Sequence, residues 1–311
     1  MGSNALRRAL VRISLLVAGV VCLMTSPAYA VDGVIEINQA KANAGGVTPG
    51  DAPGWPVTIS APGSFRLTGN LAVDSPNATA IQVTAARGVS VDLNGFSVTG
   101  PIECGGSPLS CGTGSGRGID AARQGVTVTN GLVRGFPNGG VLAASDARIE
   151  NVVASNNGGD GIRVGDSALV RGCRASYNGA DGIEGNFGAV IESSTAQWNG
   201  GAGIRSSLGA AVTNCTATFN EGTGFVGIGG TFRTNAARQN EAEGFLCTGD
   251  ACVLVGNASG ANALEGMKLD GRAGYAQNVL SGNNGSNPEV VGGVDLGGNL
   301  CVGGANGNAC P

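Results

Sequence analysis

The chain has 311 residues, a formal net charge of −4, 13% charged residues, 57 glycines and no histidine. An acidic chain with only two lysines, Lys41 and Lys268, argues against a nucleic-acid partner, which calls for a basic face. The absence of His and of any Cys-x-x-Cys pair argues against a zinc-type centre, so no cofactor or metal is expected from the residues alone.

Residues 1–30 read as a signal peptide. Arg7, Arg8 and Arg12 form a basic start, residues 13–24 an apolar stretch, and Ala28-Tyr29-Ala30 a small-x-small cleavage site. The stretch is too short to span a bilayer comfortably, and no later segment is long and apolar enough. The expectation is an exported protein, periplasmic or extracellular, with no membrane span once the signal is removed. The eight cysteines beyond Cys22 then meet a disulfide-permissive compartment.

Residues 31–75 read as an N-terminal cap with the first strands, including a short helix over residues 37–44. Coils are expected over 76–285, interrupted by a Gly- and Ser-rich loop at 101–117. A C-terminal cap follows at 286–311. Three close cysteine pairs, Cys104/Cys111, Cys247/Cys252 and Cys301/Cys310, would each close a short loop.

From residue 118 to 285 the chain repeats with a period of about 21 residues. Gly-apolar pairs recur at Gly118-Ile119, Gly140-Val141, Gly161-Ile162, Gly182-Ile183, Gly203-Ile204, Gly224-Phe225, Gly244-Phe245 and Gly266-Met267. Four residues before most of these glycines stands an Asn: Asn157, Asn178, Asn199, Asn220, Asn240 and Asn262. Each period holds three short alternating runs separated by Gly, Asp and Asn, which read as strands and turns. A leucine-rich repeat pattern is absent, and a propeller blade needs about 40 residues. The period therefore predicts an all-β fold, a right-handed parallel β-helix with capped ends, the hand following the rule for parallel crossovers.

In such a coil, columns of the sequence become stacks about 4.8 Å apart. Val141, Ile162, Ile183 and Ile204 should face inward, and the Asn column should form a hydrogen-bonded ladder. Another column reads Val152, Cys173, Ser194, Cys215 and Ala236. Its two cysteines lie two coils apart, too far for a disulfide, and are expected to be buried thiols.

Two constellations could carry function. Asp160 and Asp181 share a column one coil apart and cluster with Glu184 as catalytic candidates, with Arg163 and Arg205, in the column of Glu184, as candidate substrate-binding residues. Paired carboxylates suit a glycosidase or a Ca²⁺ site. Yet Arg163/Glu184/Arg205 alternates in sign, as does Glu150/Arg171/Glu192, and alternating charge is what a solvated sheet face uses to avoid repulsion. Tyr177, Trp198 and Phe219 share a column just before the Asn ladder. Outward, they would offer a platform to sugar rings; an inward stack filling a wide corner is the plainer expectation.

The Asn-x-x-x-Gly-Ile coils, the segment Val91-Asp92-Leu93-Asn94-Gly95-Phe96-Ser97-Val98, the stretch Val34-Ile35-Glu36-Ile37-Asn38-Gln39 and the Cys-rich end together resemble a secreted bacterial subgroup of the pectin-lyase-like right-handed β-helix proteins. The resemblance implies the fold more than an activity. Lyases of that superfamily use a Lys or Arg base and often a carboxylate-bound Ca²⁺, hydrolases use paired carboxylates, and epimerases and some lyases use Tyr or His. With no His and two Lys, this chain has few such groups. Two functions stay open: a non-catalytic protein binding carbohydrate or another surface through a strand face, and a polysaccharide lyase or glycoside hydrolase acting at Asp160, Asp181 and Glu184 on a uronate-type chain, with Ca²⁺ only in that case.

Overall fold

The computed structural model describes residues 33–249, 251–284, 288–302 and 310. The expected signal peptide and parts of the expected C-terminal cap lie outside them. From Ile35 onward the chain winds into a parallel β-helix with three sheets around a narrow core. The first sheet runs from Val57–Ile59 through Ile162–Val164, Ile183–Gly185 and Ile204–Ser206 to Val290–Asp295. The second runs from Ile35–Ile37 through Leu169–Arg171 to the end of Met267–Ala276 and on to Val290–Asp295. The third runs from Leu71–Ala72 through Arg174–Ser176 to Leu300–Val302. All pairings in these ladders are parallel. The one antiparallel pair among the described residues, Cys104–Gly105 with Ser110–Cys111, lies in the 101–117 loop.

The parallel ladder begins earlier than the sequence suggested, since Ile35 already pairs with Phe65 and Phe65 with Val91. Val91 pairs with Val128, and Val128 with Ile149. The steps are therefore 30, 26 and 37 residues before they settle to 21. Long turns in the first coils hide the period without changing the fold. The helix, Gln39–Ala44, is N-capped by Asn38, whose Oδ1 accepts from Lys41 N at 3.0 Å. Its Gln39 Oε1 accepts from Ala72 N at 2.9 Å, satisfying a donor on the edge of the third sheet. At the other end the ladder continues past residue 285, because Val290–Asp295 and Leu300–Val302 still pair in parallel.

Val141, Ile162, Ile183 and Ile204 are buried as expected. Their column continues as Phe225, Phe245, Met267 and Val290. The core widens at Phe225, Phe232 and Phe245. There, Phe225 and Phe245 stack at 4.8 Å and Phe232 meets both edge-on at 6.4 Å. Gly227 makes this possible, because a Cβ there would lie 2.6 Å from the Phe232 ring.

Asn157, Asn178, Asn199, Asn220, Asn240 and Asn262 form one buried ladder, and Asn283 extends it. Each Nδ2 donates to the next Asn Oδ1 at 2.7–3.0 Å. Each also donates to a main-chain carbonyl of the coil before, as Asn199 does to Ala175 O at 3.3 Å. The amide dipoles therefore all point one way. The final donors, on Asn283, meet the buried carboxylate of Glu289, at 3.1 Å from N and 2.6 Å from Nδ2. The ladder also explains the glycine of each repeat: a Cβ on Gly182 would meet Asn199 Nδ2 at 2.7 Å.

A second ladder was not foreseen. The Cys215 column continues as Asn235, Asn257, Asn278 and Asn299, not through Ala236. Ala236 pairs with Thr216 one position later. The coil from 215 to 235 is a residue short, and extrapolating a constant period shifted the register. The thiols of Cys173 and Cys215 fill the place of the Asn amides, Cys215 Sγ lying 3.5 Å from Ile191 O. Both are buried and unpaired, while Cys104–Cys111, Cys247–Cys252 and Cys301–Cys310 are disulfides.

Candidate functional site

The corner that leads from the third sheet to the first carries both constellations. Each of its turns opens with a residue in the left-handed region, followed by the ladder Asn. Tyr177, Trp198 and Phe219 hold φ of 56°, 57° and 57°. That backbone turns their side chains out of the core, so the column faces outward, contrary to the inward stack that seemed plainer. Tyr177 and Trp198 are exposed and Phe219 is half-buried. The rings lie parallel, with centroids 6.2 Å and 4.4 Å apart. At 4.4 Å, parallel rings overlap face to face. Trp198 therefore covers one face with Phe219, and the column presents a wall made largely of ring edges instead of a flat platform.

The 101–117 loop folds along this wall. Its hairpin is held by Cys104–Cys111, and Cys111 Sγ lies 3.7 Å from Asn157 O. Leu109 N donates to Glu221 Oε1 at 2.5 Å, joining residues 112 apart in sequence. The loop reaches the corner where the residue after the ladder Asn is glycine, and a Cβ on Gly179 would meet Cys111 Sγ at 3.0 Å. Beyond it that position becomes Glu221 and then Glu241. Between loop and wall lies a cleft of about 100 Å³, lined by the three rings, Leu109, Glu221 and Glu241, with Gly106 and Ser107 at its edge. Sequence reasoning missed both glutamates. The signal was the switch from Gly to Glu after the Asn.

The charged group sits at the far end of the same turns and on the outer face of the first sheet. One ligand atom each from Asp160, Asp181 and Glu184 falls within 4.8 Å of the others. Asp160 Oδ1 accepts from Asp181 N at 3.1 Å, and Asp181 Oδ1 accepts from Ala202 N at 2.6 Å. Arg205 grips both oxygens of Asp181 through Nε and Nη2. Arg163 stands 3.4 Å from Glu184 and 3.9 Å from Asp160. Burial, then the charge of Asp181, pushes the Asp160 carboxyl above its usual range. Burial also raises Glu184, against the pull of Arg163, and its hydrogen bond to Asp181 raises Arg205 further. A Ca²⁺ ion here would compete with the Arg205 guanidinium and the Ala202 N–H for the oxygens of Asp181. On the first sheet beside Arg163 lies a depression of about 200 Å³, lined mainly by Leu142, Ala144, Gly165 and Asn186.

The family model for the right-handed beta helix region matches residues 117–299, more than half of the chain. The chain belongs to the right-handed β-helix family. Among solved structures this β-helix is similar to the A-module of mannuronan C-5 epimerase AlgE4 from Azotobacter vinelandii, at 17% identity over 88% of this chain and 79% of that one, with a TM-score of 0.41. It is also similar to pectate lyase Pel9A, at 14% identity over 88% and 68% of the two chains, with a TM-score of 0.45. The Dettilon tailspike protein matches at 13% identity over 79% and 60%, with a TM-score of 0.35. At these identities the likeness concerns the fold, which hosts many activities. A search of curated proteins finds no significant match.

Proposed function

We propose that this β-helix is an exported, non-catalytic protein that binds carbohydrate or another surface at the cleft between the 101–117 loop and the aromatic wall. The observation that carries the reading is the backbone of Tyr177, Trp198 and Phe219. A bulky residue at positive φ is an outlier, and the same position takes Asn156, Gln239 or Ala261 in other coils. Three consecutive rings there, roofed by a disulfide-held loop, make a shaped surface that the fold does not require. Three disulfides suit an oxidising compartment, and no helix among the described residues is long and apolar enough to cross a membrane.

The enzyme reading, lyase or hydrolase, rests on the closeness of Asp160, Asp181 and Glu184 and the raised carboxyls among them. Against it stands Arg205, which with Ala202 N already engages both oxygens of Asp181. The deciding experiment is a glycan-array screen run beside reducing-end and unsaturated-product assays on uronate polymers, with and without Ca²⁺. Binding without turnover is expected. Turnover that is lost in Asp181→Asn would replace this reading with the enzymatic one.

A further inference from the structure

We infer that the cleft selects an amine-bearing sugar, a glucosamine-type unit of a polycationic glycan, over neutral or uronate chains. The inference rests on the cleft reading above and deepens it. The two carboxylates that line the cleft, Glu221 and Glu241, stand one coil apart at matching positions after Asn220 and Asn240. No lysine or arginine lines it among the described residues. Arg134 is engaged 3.3 Å from Glu103. Glu221 is half-buried and held by Leu109 N, so its carboxylate cannot swing away from the cleft at no cost. The remaining lining is aromatic and aliphatic apart from Gly106 and Ser107. A uronate carboxylate entering here would face two like charges. The volume, about 100 Å³, lies below that of sites that enclose a whole drug-sized ligand. It suits one amino-sugar unit while the rest of the chain runs over the surface.

The test is calorimetric titration of the full mature chain in mildly acidic buffer, where sugar amines are protonated. The probes are glucosamine oligomers, the corresponding N-acetylglucosamine oligomers and oligogalacturonates, against wild type, Glu241→Gln and Trp198→Ala. Glu241 is exposed, so its substitution leaves the fold intact. The expected result is binding of glucosamine oligomers that Glu241→Gln weakens by about fivefold or more. Acetylation of the amine should weaken it to a similar degree, and oligogalacturonates should not bind. N-acetylated or uronate oligomers bound as tightly, through Trp198 but indifferent to Glu241→Gln, would overturn the amine preference and leave the cleft reading in place. No binding of any of the three would overturn the amine preference, and the glycan-array screen then decides the cleft reading.

Discussion

Trp198 shows how one residue separates a binding surface from a structural stack. Its ring lies outside the core, 43% exposed, and contacts Tyr177 and Phe219. Trp198→Ala should therefore cost about 1–3 kcal/mol of stability, the scale of two aromatic pairs. A buried ring would cost roughly 3–5 kcal/mol through its cavity. If the cleft binds glycan, the same variant should weaken binding by about 1–3 kcal/mol. Melting and titration on one preparation check both. Cys173 and Cys215 make the opposite case. Burial pushes each thiol up to about 11, so both should resist alkylation in the native protein at neutral pH and react only after denaturation. Mass mapping that found them joined would contradict the column they occupy. At Asp160 the sign of the pH effect follows from its raised carboxyl. The folded state holds that proton more tightly than the unfolded chain. Its favourable contribution is thus present below about pH 4 and is lost as pH rises through the folded value. Asp160→Asn keeps an Oδ1 for Asp181 N and removes the penalty. Its melting temperature should exceed that of wild type at neutral pH, and the gain should shrink to nothing in acid.

At the scale of the element, the Asn ladders decide stability. Asn199 Oδ1 accepts from Asn178 N and Nδ2, and its own amide donates to Asn220 and Ala175. Asn199→Ala would strand several buried polar groups, at about 1–3 kcal/mol for each one left unsatisfied. A loss of roughly 3 kcal/mol or more is expected by denaturant titration. Glu289→Gln removes one of the two acceptors that end the ladder and should cost about 1–3 kcal/mol, with early fraying of Val290–Asp295 in hydrogen exchange. The first ladder was legible because Asn recurs at nearly even spacing. The second, from Asn235 to Asn299, was not: it begins only after Cys173, Ser194 and Cys215 have filled the same place, and the short coil at 215–235 displaces it by one.

At the scale of the whole molecule, each coil's strands pair only with those of its neighbours, the 101–117 loop alone reaching across several coils, so coils should be removable in whole units. Deleting residues 203–223 would set Asn199 beneath Asn240 and Glu192 beneath Arg233, keeping ladder and charge alternation. The shortened chain should keep its β-sheet spectrum at a lower melting temperature. Deleting only 203–213 would move every later residue to a different sheet and should abolish folding. Circular dichroism of the two variants distinguishes them. The period by itself determined the parallel β-helix, the first Asn ladder and the outer row of Arg163, Glu184 and Arg205, because stacking turns a repeat in one dimension into a lattice in three, while the disulfide partners were legible from their closeness in sequence. The irregular first coils, the outward turn of Tyr177, Trp198 and Phe219, and the seating of Leu109 on Glu221 were decided only by the tertiary structure. They depend on backbone angles at a corner and on where a long loop lands, and neither repeats along the chain.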